Sequence, residues 1–381
     1  MSKKAPFVVD KVIFSIMVIL IIIGILMLLS TSSVVGFSNF NDPYYFIRKH
    51  TIYLLLGCFA FIFGFKFPHS QYKKFSLLGL GFGVLMLLLT LIPGIGVQIF
   101  GARRWLNLGF IQIQPVEIVK FFIITFVATS ISNKKKLIAT FSKGLVPILG
   151  VVAIPLSLLL LQPDLGNVIL SLSITFTLLF LGGIRIKHLA TLALLGITVI
   201  SLSIATHPYQ LGRVKTFLFP WRDPLGKSYH VTQSFIAIGS GGITGLGLGQ
   251  SKLKYSYLPL QYSDFIFSII CEEGGLILAT IVIGLYGILF YRGITIAYYS
   301  KDEFSYYLGI GVTLLLVYQA VINMGVAIGL FPAKGVPLTF ISFGGTALIM
   351  SMFYVGVLLN ISKRYTKTII QSDEPEDLKI T

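Results

Sequence analysis

The sequence predicts an all-α fold: a polytopic membrane protein of about ten transmembrane helices, with one large extracytoplasmic loop between helices 7 and 8. Three observations carry that expectation. The 381 residues are 55% hydrophobic and only 12% charged, with a mean hydropathy of +0.88, and a soluble domain of this length needs a far more polar surface. Charge-free runs recur at 12–29, 77–92, 145–161, 168–183 and 189–205, and with their flanks several reach the roughly 20 apolar residues that cross a bilayer core. The basic residues, finally, fall mostly on one side of the helices so defined.

Read in order, the spans lie near 12–32, 50–65, 76–93, 116–132, 145–161, 166–183, 189–206, 264–290, 305–323 and 343–361. The first has a basic flank like a signal peptide, but it is too long and lacks a small-residue cleavage site, so it reads as a retained anchor. Gly, Tyr and acidic residues interrupt the last three. Together 1–362 form a transmembrane domain, 207–263 its large outer loop, and 363–381 a short polar cytoplasmic tail expected to be disordered.

The net charge of +16 would suit nucleic acid, but its placement does not. With the N-terminus inside, most basic residues fall in cytoplasmic segments: Lys3, Lys4 and Lys11, then Lys66, Lys73 and Lys74, the Lys134–Lys136 run with Lys143, Arg185, Lys187, Arg292, Lys301 and Lys363 onward. The short outer loops hold only Arg48, Lys49, Arg103, Arg104 and Lys334. The positive-inside rule therefore predicts that both termini are cytoplasmic. Cys58 and Cys271 fall in or beside helices, far from any metal-ligand spacing, so neither a disulfide framework nor a metal site is expected from them.

The outer loop 207–263 is the exception to short connections, and long loops in compact domains tend to be functional. It carries further basic residues, among them Arg213, Lys215, Lys252 and Lys254, and apolar residues that suggest short amphipathic helices at the interface. Its glycine run, Gly239 to Gly249, lacks the Lys-Ser/Thr of a P-loop and follows no strand. Close backbone packing against a neighbouring helix or a lipid headgroup is the better reading.

Several charges sit where charge is costly. Glu117 and Lys120, three residues apart, share a helical face and suit a structural ion pair. Asp164, in Gln162-Pro-Asp-Leu-Gly, suits a cap or turn. Glu272 and Glu273 suit bonds to neighbouring helices or loops. Asp264 could cap the helix that begins at Phe265, yet an acid at the outer face beneath a basic loop also suits catalysis or ion coupling.

At these residues the chain resembles the SEDS family of peptidoglycan polymerases, FtsW, RodA and SpoVE. Gly101-Ala-Arg-Arg-Trp-Leu-Asn-Leu-Gly with Gln114-Pro-Val-Glu-Ile-Val-Lys120 is similar to one family block, and Gln162-Pro-Asp-Leu-Gly to another. The glycine run, the Leu258-Pro to Glu273 stretch ending past Asp264-Phe-Ile-Phe, and the Asn323-Met-Gly, Pro332-Ala-Lys-Gly and Ile341-Ser-Phe-Gly-Gly segments complete the resemblance. Pro220-Trp-Arg-Asp-Pro and the Gly-Leu-Gly-Gln-Ser-Lys run look more like the division-type FtsW than RodA. The chain departs from the family pattern at Val116, at Leu338-Thr339, and at Leu260-Gln-Tyr-Ser before Asp264, where a Glu and a His are usual.

The resemblance implies a fold, a site and a setting in the bacterial cytoplasmic (inner) membrane. It implies glycosyl transfer from lipid II to a growing glycan strand during division, with inversion at the anomeric centre and Asp264 as general base. A lipid diphosphate leaving group calls for positive charge rather than a strong acid. Arg103, Arg104, Arg213, Lys215, Lys252, Lys254 and Lys334 are the cations available, with Gln114 beside them as a substrate-binding residue. No cofactor is implied, although a divalent cation could share the diphosphate's charge. The partners implied are lipid II, the nascent strand, a class B penicillin-binding protein, other division proteins and membrane lipid, but not nucleic acid. A lipid II flippase and a non-catalytic division scaffold remain open beside this reading. A secondary transporter would show two similar halves, and no internal repeat is evident.

Overall fold

In the computed structural model the described residues are 10–372, apart from 100–101, 110, 134–137, 139, 207, 227, 252–262 and 334. Lys252, Lys254, Lys334 and residues 373–381 of the expected tail therefore lie outside them, whereas 363–372 continue the last helix. The chain folds almost wholly into helices: α1 (Lys11–Phe40), α2 (Tyr45–Lys66), α3 (His69–Leu91), α4 (Pro115–Asn133), α5 (Val146–Leu161), α6 (Leu165–Leu181), α7 (Ile186–Thr206), α8 (Pro208–Leu218), α9 (Tyr229–Gly241), α10 (Ile266–Tyr298), α11 (Glu303–Ala327) and α12 (Gly345–Ser372). Among the described residues nine of the helices are long and apolar enough to cross a membrane, and α6 is a shorter apolar helix. These ten coincide with the ten expected spans.

Packing follows from side-chain size. α2 and α12 lie along each other because Gly57, Gly64 and Gly356 leave room for the facing chain: a methyl on Gly64 would strike the Phe353 carbonyl, and one on Gly356 the Phe61 carbonyl. Small residues at helix crossings serve membrane bundles in this way. α11 and α12 bury most of their length and form the centre, whereas α7 buries none of its residues. Asp10 caps α1 by accepting from Ile13 N (3.1 Å) and pairs with Arg292 of α10 (2.5 Å), which ties the N-terminal helix to the bundle.

Two features lie outside a pure helix count. Between α3 and α4 the chain forms a three-stranded antiparallel sheet, β1 (Gly96–Ile99), β2 (Ala102–Asn107) and β3 (Gln112–Ile113), in the order β1-β2-β3. Trp105 pairs with Val97, and Leu106 with Ile113. This region reads from sequence only as a short loop. The outer loop, likewise, holds α8, a 3-10 turn at Pro220–Arg222, and α9.

The glycine run after α9 explains a second irregularity. α10 is broken at Gly275, whose φ of 64° and ψ of −165° are not helical. Broken backbone at membrane depth needs partners, and the glycine run provides them. Leu246 N donates to Glu272 O (2.9 Å) and Gly247 N to Glu273 O (3.0 Å), while Leu276 N donates to Gly242 O (3.0 Å) and Ile277 N to Ile243 O (3.2 Å). The carboxylates beside the break are bound as well: Glu273 accepts from Ser30 Oγ (2.5 Å), Gly249 N (3.0 Å) and Ser251 N (3.2 Å), and Glu272 from Ser251 Oγ (2.5 Å).

The backbone contact leaves no space for a side chain: a Cβ on Gly275 would run into Gly245 N and Ile243 O. Gly275→Ala adds a left-handed backbone penalty to that clash and should cost more than about 2 kcal/mol. Gly81→Ala, at a helical position with open space around its Cβ, should be neutral or better. Thermal unfolding of the two purified variants checks the contrast.

Candidate functional site

The outer ends of α10, α11 and α12 converge on the segment just before α10. Asn323 of α11 donates through Nδ2 to Asp264 O (3.0 Å) and to Val336 O (2.8 Å), so one amide holds two loops. Ser342 Oγ donates to Ser263 O (2.5 Å) and accepts from Leu338 N (2.8 Å). Asp264 is thus fixed through its backbone, and its carboxylate is also met by the Ser263 side chain. A methyl at Gly335 would lie 3.4 Å from Asp264 Oδ2, so the absence of a side chain there keeps the approach to the carboxylate clear.

Asp264 retains a partly exposed surface, yet protein atoms crowd its carboxyl. Burial pushes that group up from 3.8 to about 6, against the opposing pulls of Arg213, the Ser263 side chain and Arg104. A carboxyl near 6 can still lose its proton at neutral pH and takes one readily, as a general base must. It sits ahead of α10, so a capping role was the simple alternative. The N-cap position is instead Phe265, one residue later, which makes no side-chain cap bond.

Arg213, on α8, donates through Nη1 to Ala333 O (2.9 Å), which seats its guanidinium near Asp264. Arg104, on β2, donates through Nε to Gln162 O (3.0 Å) and through Nη2 to Pro163 O (2.7 Å). Its charge still reaches Asp264, but it is also the tie between the sheet and the α5–α6 turn. Gln162 secures the other side of that turn, donating to Thr90 Oγ1 (2.6 Å) and Leu87 O (3.2 Å). Asp164 caps α6, accepting from Asn167 N (3.3 Å) and Asn167 Nδ2 (2.9 Å).

Of the residues singled out from sequence, then, Asp264, Arg213 and Arg104 are brought together. Arg103 is adjacent to Arg104 on the same strand and pairs with Gln98, while Arg104 falls where the β1–β2 register shifts. Gln114 is buried at the start of α4, where its N–H donates to Thr346 Oγ1 (3.0 Å) of α12. Asn323, Ser342 and Gly335 lie in motifs visible in the sequence, but their roles depend on chain segments far apart in it. Among the described residues no group of three or more His, Cys, Asp or Glu side chains could hold a metal ion.

Glu117 and Lys120 lie inside the bundle, both about 2% exposed. Lys120 Nζ is 2.8 Å from Glu117 Oε1 and 3.2 Å from Gln319 Oε1 on α11. Gln319 Nε2 in turn donates to Pro337 O (3.2 Å), and Tyr354 OH of α12 donates to Glu117 O (2.6 Å). The pair therefore joins α4, α11 and α12 and reaches the 336–338 segment that flanks Asp264.

A bundle of membrane-spanning helices with a crowded carboxylate beside two guanidiniums defines an integral membrane protein with a charged site at one end of the bundle. The chain belongs to the FtsW/RodA/SpoVE cell cycle protein family, whose profile matches residues 10–367. It is 36% identical to stage V sporulation protein E of Bacillus subtilis over 366 residues, 96% of this chain and 99% of that one. It is 37% identical to a probable peptidoglycan glycosyltransferase FtsW of Geobacter metallireducens over 359 residues, 94% of this chain and 96% of that one. Among solved structures it resembles a chain described under "Structural coordination of polymerization and crosslinking by a peptidoglycan synthase complex", with a TM-score of 0.77, 26% identity, and coverage of 94% and 99%. It also resembles the rod shape determining protein RodA of Thermus thermophilus, with a TM-score of 0.70, 26% identity, and coverage of 94% and 98%.

The buried pair generates a test. Lys120→Met alone strands the Glu117 charge and should cost about 3–5 kcal/mol. The double change Glu117→Gln with Lys120→Met removes both charges and should recover a large part of that loss. Denaturation of the purified single and double variants reads the difference, and equal loss in both would remove the ion pair as the cause.

Proposed function

We propose that this protein is a peptidoglycan glycosyltransferase that polymerises lipid II in the bacterial cytoplasmic membrane, with Asp264 as general base. The observation that carries the reading is Asp264 itself: held by its backbone, raised toward neutrality by burial, and flanked by the Arg213 and Arg104 charges. Relatives that align along nearly the whole chain carry the name peptidoglycan glycosyltransferase FtsW.

The reaction follows from these groups. The Asp264 carboxylate takes the proton of an acceptor sugar hydroxyl as its oxygen bonds to the donor's anomeric carbon. The bond from that carbon to the lipid diphosphate breaks at the same time, with inversion, and the electron pair leaves on the diphosphate. Arg213 offsets the growing negative charge, and Arg104 adds to the field while holding its turn. Lys252, Lys254 and Lys334 are further candidates by sequence. Glu117–Lys120 acts at a distance, by bracing the segment that carries Gly335. A class B penicillin-binding protein, which would cross-link the strands made here, is the partner this reading implies, and other division proteins join it in a division-type role.

Asp264→Asn keeps size and backbone bonds but cannot accept the proton. Purified protein given lipid II, alone and with a class B penicillin-binding protein, should make glycan polymer, and the Asn variant should lose about 10²–10⁴ in rate while still binding lipid II. Polymerisation by the Asn variant near the wild-type rate would place the base elsewhere. The pH profile has a fixed sign: the base form is lost as pH falls through about 6, so the rate should fall on the acid side of 6 and level off above it. A flippase would move lipid II across vesicles without making polymer in the same assay.

Cytoplasmic termini require Arg185 and Lys301 inside and Arg222 outside. In cells, cysteines introduced singly at these positions should react with an impermeant thiol reagent only at Arg222. Labelling at Arg185 or Lys301 in intact cells would overturn this orientation.

A further inference from the structure

His230 lies in the first turn of α9, a helix with no part in the mechanism above. α9 is held against α10 and α11 by Ser234, whose Oγ lies 2.5 Å from Ser268 Oγ and donates to Ala327 O (2.7 Å). This docking brings the start of α9 beside the start of α10. There the His230 ring lies parallel to that of Phe265, at an interplanar angle of 11° and a centroid distance of 6.3 Å. Phe265 directly follows Asp264, so the imidazole flanks the candidate base from a different element.

Three properties distinguish this histidine from a packed core residue. It is half-buried, with part of its surface open. Among the described residues its ring meets Phe265 and Tyr229, both aromatic, and these contacts set the ring's orientation. Arg213 acts electrostatically on both His230 and Asp264, which places all three about one space. Burial, and then the Arg213 charge, lower the imidazole's proton affinity. A neutral imidazole carries one donor and one acceptor, the same pair that a sugar hydroxyl presents.

We propose that His230 is a substrate-binding residue whose imidazole hydrogen-bonds a saccharide hydroxyl next to Asp264. The inference rests on the glycosyltransferase reading. It assigns the sugar, rather than the diphosphate, to the α9 side of the site. The Phe265 stack holds the ring so that little freedom is lost when the hydroxyl binds. The Arg213 charge keeps the ring neutral, and so able to accept as well as donate.

The test uses the purified full chain, lipid II as substrate, and two variants. His230→Phe retains an aromatic ring against Phe265 and removes both nitrogens. His230→Gln retains a donor and an acceptor and removes the ring. The expected result is an unchanged melting temperature for the Phe variant with KM for lipid II raised about tenfold, as for a lost polar contact in a shielded site. The Gln variant should keep KM within about twofold of wild type, since its amide restores the same pair of bonds. Wild-type KM in the Phe variant overturns the proposal, and so does equal impairment of both variants accompanied by a lower melting temperature, which would mark a packing role. If folded wild-type protein makes no polymer, the polymerase reading fails separately. Lipid II binding then decides the His230 inference: weaker binding by the Phe variant than by wild type supports it, and equal binding overturns it.

Discussion

A chain buried in hydrocarbon must satisfy its own backbone, and the outer half of this protein is arranged around that requirement. Unwinding α10 at Gly275 frees peptide groups that water cannot reach. The glycine run after α9 meets them with main-chain bonds, and it can approach so closely because it carries few side chains. Glu273 accepts from Gly249 N and Ser251 N as well as from Ser30 of α1, so the repair also joins the outer loop to the first helix. The position of α9, and with it the setting of His230 near Asp264, is tied to that docking.

The same logic governs the surroundings of Asp264. Asp264 and Ser263 lack helical partners, and side chains from α11 and the segment before α12 supply them: Asn323 to Asp264 O and Ser342 to Ser263 O. The main-chain bonds fix the position of the carboxylate, which the Ser263 side chain also touches. Arg104 makes the reverse compromise, since two of its nitrogens are bonded to the carbonyls of Gln162 and Pro163. It is therefore part scaffold and part charge, and Arg213, which donates to Ala333 O, brings a second charge to Asp264 from α8.

Much of this architecture is legible in the sequence because a bilayer imposes a one-dimensional signal. Ten apolar runs become ten apolar helices, and the Glu117–Lys120 spacing alone places both charges on one face. The sheet at 96–113 is not legible. Its strands span four, six and two residues, too short for an alternating pattern to stand out, and it is stabilised in part by Arg104 reaching the α5–α6 turn. Asp264 is conspicuous as an acid beneath a basic loop, but its supports come from Asn323 and Ser342, which only tertiary folding brings near. His230 gives no sequence signal, because its meaning lies in the ring of Phe265 across a helix interface. The break at Gly275 is only half legible: Gly274-Gly275 after two glutamates marks an interruption of the span, but not which distant segment meets the freed peptide groups.

The length of α6 has a further consequence. Its 17 residues span about 25 Å at 1.5 Å per residue, short of the roughly 30 Å of a bilayer's hydrocarbon. Gln162 and Asp164 at its outer end are almost wholly buried, at 2% and 5% exposure, as expected of a polar turn lying below the level where neighbouring helices emerge. A span this short is accommodated by polar groups satisfied inside the protein, as Gln162 and Asp164 are. Arg104, bonded to the carbonyls of that turn, thereby sits at the end of a helix shorter than its neighbours.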